Sequence, residues 1–338
     1  MRFEFYSEAL DDVPKLSVDG TVSNSIHFSH WQDNETPAEL RADTSTEIAL
    51  NLVTSPNQKE LTKNIDLITN NHFDTDGMLS VWTVMTGDRA AQYSEVLIAA
   101  AEAGDFSEYS GADGVRISLA IQGSDQVIPD DATGSPLARL LAGEDVNDDA
   151  RCYELIMPEV ERLLTNINDY EPLWLEGWKK IIDALESFDR GSSKVNELAD
   201  SKISLITLAP DIFSGEGFNP TRHSAPYTAI SKFAHGELFV IGIPTRDGWF
   251  YRIDYPYYSW AETVVRPQIE RRDLTGVLKS LNERDGNKNG LWQTDAREMT
   301  SAAKFLDAQK RQAPSSLEPD VVAATFASAS SKAMGSST

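Results

Sequence analysis

The chain has 338 residues, 41% of them hydrophobic and 25% charged, which is enough to bury a sizeable core and long enough to expect two domains. Its formal net charge is −23, so long nucleic acid and duplexes are poor partners unless a metal-bearing groove reverses the local field. No apolar run approaches the ~18 residues of a membrane span, the first residues lack the apolar core of a signal peptide, and the single cysteine, Cys152, cannot form an internal disulfide. A cytoplasmic location is expected, with no membrane partner.

Residues 1–35 read as β structure with turns: Phe3 to Tyr6, then Leu16 to Val18 into the turn at Asp19-Gly20, then Ser25 to Trp31. Thr36-Pro37-Ala38-Glu39 carries an N-cap, a proline at the first helical position and a capping-box glutamate, and predicts a helix start. Thr44-Ser45-Thr46-Glu47 repeats that signature before the apolar run from Ile48 to Val53. Residues 65–69 predict a strand, 78–86 a helix, and 93–103 a helix closed by Gly104. Strand alternating with helix is the pattern of an α/β domain with a Rossmann-like sheet.

Residues 123–150, rich in Asp, Gly and Pro, read as an acidic connector, and 149–188 as helical, with Trp174 and Trp178 on one face. A boundary is expected within 189–201, which gives an α/β domain over 1–190 and a smaller α+β domain over 200–322. A strand at 203–208 and a hairpin about Asp247-Gly248 follow. Helical stretches are expected after Asp273 and after Thr294, and a flexible Ala/Ser-rich tail over 323–338.

The densest chemistry lies in Asn70-Asn71-His72-Phe73-Asp74-Thr75-Asp76-Gly77. In extended backbone His72, Asp74 and Asp76 would share one face, an arrangement suited to divalent cations at the C-terminal end of a strand. The following helix N-terminus, with Ser80 one turn in, would favour a phosphate beside them. The same residues also read as an Asx-turn with Asp76 as a helix cap. His30 and Asp43 are the further ligand candidates, since a second ion needs more donors than residues 72–76 supply. For Asp43 the alternative is a capping role. Asp105 could add a carboxylate or simply shape a helix exit. His27 reads as a loop histidine bonded to backbone, and Cys152 as inert.

Substrate contacts are expected from His223, in a Gly- and Pro-containing stretch, and from Arg252 and Arg266, in the one locally basic zone, which also holds Arg271 and Arg272. Salt bridging to neighbouring acids is the alternative for these arginines. The aromatic-rich stretch 249–260 could stack bases but reads better as hairpin core. No nucleophile elbow, Walker loop, Rossmann glycine fingerprint or Cys-based zinc spacing is present.

The pattern His72-x-Asp74-x-Asp76-Gly77-x-x-Ser80 resembles the first motif of the DHH phosphoesterase superfamily. That resemblance implies a pair of Mn²⁺ or Mg²⁺ ions that activate water and neutralise the phosphate under attack. It also implies a small phosphorylated substrate or a short oligonucleotide. The name-giving Asp-His-His triplet and the glycine-rich substrate motif are absent. Ser29-His30-Trp31, Thr36-Pro37 and Asp43-Thr44-Ser45-Thr46 resemble the run around the triplet, but lie upstream, as in a circular permutation. The whole chain also resembles an uncharacterised bacterial family that carries Ser-His-Trp, Thr-Pro, Asp-Thr-Ser-Thr and Asn-His-Phe-Asp-Thr-Asp-Gly segments. Two functions are therefore expected in competition, a metal-dependent phosphoester hydrolase and a non-catalytic binding or regulatory protein on a degenerate DHH-like scaffold, with a single-metal enzyme of another hydrolytic type as a third.

Overall fold

A computed structural model describes residues 1–123, 134–210, 224–294 and 299–334, the side chains to 328. The chain divides into two compact units, Met1–Lys179 with Trp260–Gln268, and Lys180–Ser259 with Ile269–Thr338. The division falls inside a helix, Glu171–Asp189, rather than in the Gly-Ser stretch after it, and a short later segment belongs to the first unit.

The first unit is built on a parallel four-stranded sheet, with β1 (Arg2–Phe3), β2 (Lys15–Val18), β3 (Ser25–Phe28) and β4 (Leu67–Thr69) in the order β1-β4-β2-β3. Leu16, Val18, Leu67 and Ile68 are buried, as expected of parallel strands covered on both faces. Parallel neighbours ordinarily need a long crossover, yet only residues 19–24 join β2 to β3. Asp19 and Asn24 take left-handed backbone conformations, with φ 68° and 48°, which reverses the chain at both ends of that loop. Below it, the buried Lys15 ammonium donates to the carbonyls of Leu10, Val13 and Asn24 at 2.8, 3.1 and 3.2 Å.

Helices α1 (Ser45–Thr54), α2 (Gln58–Leu61), α3 (Thr75–Thr86), α4 (Ser94–Asp105) and α5 (Ala112–Ile121) follow, then α6 (Pro136–Ala142), α7 (Asp149–Ile156), α8 (Val160–Thr165) and α9 (Glu171–Asp189). The predicted cap of α1 is present: Thr44 accepts the Glu47 N–H. The predicted helix start at Thr36 is not. The Thr36 hydroxyl instead accepts from Ser29 N and donates to Ser29 O, each at 2.9 Å, so the would-be cap ties down the end of β3. Part of the expected acidic connector, 124–133, lies outside the described residues, and Pro136–Ala142 within it is helical, capped by Ser135.

The second unit holds a six-stranded sheet in the order β5-β6-β7-β8-β10-β9, from β5 (Lys194–Leu198), β6 (Ile203–Thr207), β7 (Leu238–Thr245), β8 (Gly248–Asp254), β9 (Gly290–Thr294) and β10 (Ser301–Asp307). β6 and β7 pair in parallel and the other neighbours are antiparallel. The Asp247-Gly248 hairpin forms as predicted. The helix expected after Thr294 does not: the described residues there are β10, whose Ala302, Ala303, Phe305 and Leu306 are buried. Helix α10 (Tyr227–Ser231) precedes β7, α11 (Thr275–Arg284) follows Asp273, and α12 (Pro319–Met334) occupies most of the predicted flexible tail. Val322, Ala323 and Phe326 are buried in the core of this unit, so small residues mark a close-packed helix there. The aromatics Tyr251, Tyr255 and Trp292 belong to the same core. Both units are α/β in content, and no helix among the described residues is long and apolar enough to cross a membrane.

Candidate metal centre

Three strands of the first sheet deliver side chains to one edge. β2 ends in Asp19, β3 leads through Ser29 to His30, and β4 leads through Asn70 and Asn71 to His72. Two helices complete the edge. α3 brings Asp74 as its N-cap and Asp76 in its first turn, and α4 brings Asp105 as its last residue.

His72, Asp74 and Asp76 do not share one face of an extended segment, because the helix begins at Thr75 and rotates Asp76 away. They are divided between two groups of ligating atoms, Asp19 with His30, Asp76 and Asp105, and Asp19 with His72 and Asp74. Asp19 belongs to both. Its Oδ1 lies 3.8 Å from His30 Nε2, and its Oδ2 lies 3.0 Å from His72 Nε2.

Most of the donors are held by a second contact. The His30 Nδ1–H donates to the Asp43 carbonyl at 2.7 Å, which turns Nε2 towards Asp105 Oδ2 at 3.2 Å and Asp76 Oδ2 at 3.9 Å. Asp76 accepts the backbone N–H groups of Ser45 and Thr46 at 2.8 and 2.7 Å, so the carboxylate rests on the N-terminus of α1. Asp19 Oδ1 accepts from the Ser45 hydroxyl at 2.9 Å and the Trp31 indole at 3.3 Å. One oxygen of Asp74 caps α3 through Gly77 N at 2.7 Å, while the other bonds His72 Nε2 at 3.1 Å. The Tyr153 hydroxyl donates to the His72 carbonyl at 3.2 Å and accepts from Asn70 at 3.0 Å.

Two atoms stand apart from these bonds. His30 Nε2 and Asp19 Oδ2 are fully buried and meet only the site's own side chains, Asp105 at 3.2 Å and His72 at 3.0 Å, without a well-formed hydrogen bond. Buried polar atoms are ordinarily satisfied, and both of these point into the carboxylate groups. A divalent cation is the partner that such a donor set fits, with imidazole and carboxylate ligands and an outer hydrogen bond on the histidine.

The electrostatics agree with that fit. Burial disfavours a charged His30, but Asp105, Asp76 and Asp19 outweigh it and raise its pKa from 6.5 to about 10. For His72, burial is likewise outweighed, by Asp74 and Asp19, and the pKa rises to about 12. Burial first and Asp19 second push Asp76 up from 3.8 to about 7. Burial, with Asp74 and Asp76, raises Asp105 well above its ordinary value. For Asp19 burial is overcome by the two histidines, and its pKa falls. Negative charge is thus concentrated until protons, or cations, offset it.

The remaining predicted residues lie elsewhere or are already engaged. The Asp43 carboxylate is outside both groups. It accepts the consecutive N–H groups of Val264, Val265 and Arg266 and pairs with the Arg266 guanidinium at 2.8 Å. Arg266 also binds Glu102 and Glu108, each at 2.6 Å, so it neutralises protein carboxylates rather than presenting a free fork. Ser80 is buried and its hydroxyl donates to Gly77 O in its own helix, which turns it away from any phosphate. Arg252 lies in the second unit, buried against Asp254, Ser224 and Tyr257. His223 lies outside the described residues. His27 is indeed backbone-bound, to Asp19 O at 3.0 Å. Asp19 was not among the residues singled out by sequence. Its signal was the aspartate directly after the apolar Leu16-Ser17-Val18 strand, hidden by the ordinary turn reading of Asp-Gly.

No curated protein and no solved structure matches the chain. The model of one family does, over residues 1–336: the chain belongs to DUF6687, a family of unknown function.

Proposed function

We propose that the strand-end cluster is a dinuclear divalent-metal centre, of Mn²⁺ or Mg²⁺ type, and that the protein hydrolyses a phosphoester or phosphoanhydride. The observation that carries this reading is the pair of buried atoms without a well-formed hydrogen bond, His30 Nε2 and Asp19 Oδ2, turned into two sets of ligating side chains. Asp19, His30, Asp76 and Asp105 would hold one ion, and Asp19, His72 and Asp74 the other. Ions bound there supply Lewis acidity to phosphoryl oxygens and make water a better nucleophile near neutral pH.

The chain's own residues do the rest. Asp19 would offer a carboxylate oxygen to each ion. The Asp43 carbonyl keeps His30 in the tautomer that presents Nε2. Trp31 and Trp260, half-buried and edge to face at 5.3 Å, wall the His30 side against water. The resemblance of residues 72–80 to the first DHH motif supports the same chemistry. The placement of His30 at a strand end upstream of that motif is compatible with permuted order, although Asp43 of the same run lies outside both ligand groups. The net charge favours small phosphorylated compounds or short oligonucleotides over duplexes.

Calorimetric titration with Mn²⁺, paired with hydrolysis of a chromogenic phosphodiester, tests the reading. Wild type should bind about two ions and hydrolyse the ester only with metal. Asp19→Asn should lose both. Absence of Mn²⁺ binding at millimolar concentration would sink the proposal.

A further inference from the structure

We infer that the two halves of this centre are unequal: the Asp19–His30–Asp76–Asp105 half takes its cation first and holds it, and the Asp19–His72–Asp74 half takes an exchangeable cation whose occupancy switches the site on. The inference rests on the metal-centre reading above and adds the order and regulation of loading.

Donor number and burial separate the halves. The first offers four side chains, with His30, Asp19 and Asp76 at most 1% exposed and Asp105 8%. The second offers three, and His72 and Asp74 are 30% and 28% exposed. Divalent cations of this kind prefer about six oxygen or nitrogen ligands. The second half therefore leaves more positions to water or to substrate oxygens, and leaves them on the solvent side.

Preorganisation acts in the same direction. His30 is fixed by the Asp43 carbonyl and Asp76 by two backbone N–H groups, so little side-chain freedom remains to be lost on binding. His72 Nδ1 meets the Asn71 side chain, at 3.0 Å in an exposed position. One oxygen of Asp74 is already committed to the helix cap. The shared Asp19 adds a Coulomb effect. Once the first ion draws on this carboxylate, a second dication ~3.5–4 Å away meets repulsion and a weaker donor.

Such a site idles with one ion at low metal and becomes open to a phosphate only when the second arrives. Free divalent metal, rather than protein abundance, then sets activity over the range of the weaker dissociation constant.

The test is a titration of full-length, metal-free protein with Mn²⁺ at fixed pH, following free Mn²⁺ by electron paramagnetic resonance. Two steps should appear, with dissociation constants at least about tenfold apart. Asp74→Asn keeps a capping side chain on α3 and should remove the weak step alone. His72→Gln serves as a second variant, with circular dichroism as the control for folding. Asp105→Asn should weaken the tight step at least about tenfold. Two equivalent ions in a single step would overturn the inference and leave the dinuclear reading intact, as would loss of the tight step in Asp74→Asn and His72→Gln with the fold retained. Two-step binding without hydrolysis of any phosphoester would leave the order of loading standing but overturn the hydrolase reading, and with it the switch. No binding at all by wild type would remove both.

Discussion

His30 Nδ1 lies 2.7 Å from the carbonyl oxygen of Asp43, and that bond decides which ring nitrogen faces the carboxylates. A carbonyl only accepts, so Nδ1 carries a hydrogen and Nε2 is the atom left for a proton or a cation. In the metal-free protein the proton wins, since the surrounding acids raise His30 to about 10 and His72 to about 12.

Metal binding should therefore release protons. Metal ligands must be deprotonated, so at pH 7 uptake of two ions should expel about two protons from the imidazoles, with a further contribution from Asp76 near its pKa of about 7. Calorimetry in buffers of different ionisation enthalpy measures the number. Zero release would mean that the histidines are not ligands.

The same shifts fix how stability should depend on pH. A raised folded-state pKa for His30 contributes stability that is complete below 6.5 and is lost as pH rises to about 10, and His72 extends the loss to about 12. Metal-free protein should thus melt at lower temperature at pH 9 than at pH 7. Saturating Mn²⁺ should weaken or reverse that trend, because the ion replaces the protons. Equal melting temperatures at the two pH values without metal would contradict it.

Arg266 joins Asp43, Glu102 and Glu108 through one guanidinium. Arg266→Gln leaves three acids facing one another and should cost about 2–3 kcal/mol, less than a fully buried pair because the site is partly exposed. Arg266→Lys should restore little, since an ammonium cannot span three carboxylates as a planar fork does. Urea unfolding measures both. A loss below about 0.5 kcal/mol would reduce the cluster to an ordinary surface ion pair.

Gly20 packs against Asn70 and Asn71, and a Cβ there would collide with both side-chain oxygens. Its N–H also donates to Asn70 Oδ1 at 3.1 Å. Gly20→Ala should cost about 1–3 kcal/mol and weaken Mn²⁺ binding, because Asp19 is its chain neighbour. Unchanged melting and unchanged affinity would show that the loop absorbs a methyl group without moving Asp19.

Local signals in this chain were legible where short-range chemistry decided the outcome. The Thr44 cap, the β2 to β4 strands, the helix after His72 and the Asp247-Gly248 hairpin all follow from turn residues and apolar runs. Thr36 carried the same capping signature as Thr44 and went elsewhere, because a partner at Ser29 satisfied its hydroxyl first. In the candidate site, His72, Asp74, Asp76 and His30 were visible as residue types in a suggestive order. Asp19 and Asp105 were obscured because their neighbours Gly20 and Gly104 made turn chemistry the simpler reading. Asp43 lies outside the two groups for a different reason: nothing local announces that residues 264–266 will fold back onto its carboxylate.

That return has a consequence for synthesis. Trp260–Gln268 belongs to the first unit although the chain from Lys180 to Ser259 belongs to the second. It places the Trp260 ring 4.9 Å from His30 and three N–H groups on Asp43. A ribosome that has released only the first 179 residues has therefore made every candidate metal ligand but not the segment that braces His30 and Asp43. The unit can reach its final form only after residue 268 has emerged, so a nascent or truncated chain ending earlier is a natural client for chaperones and proteases rather than a smaller working domain.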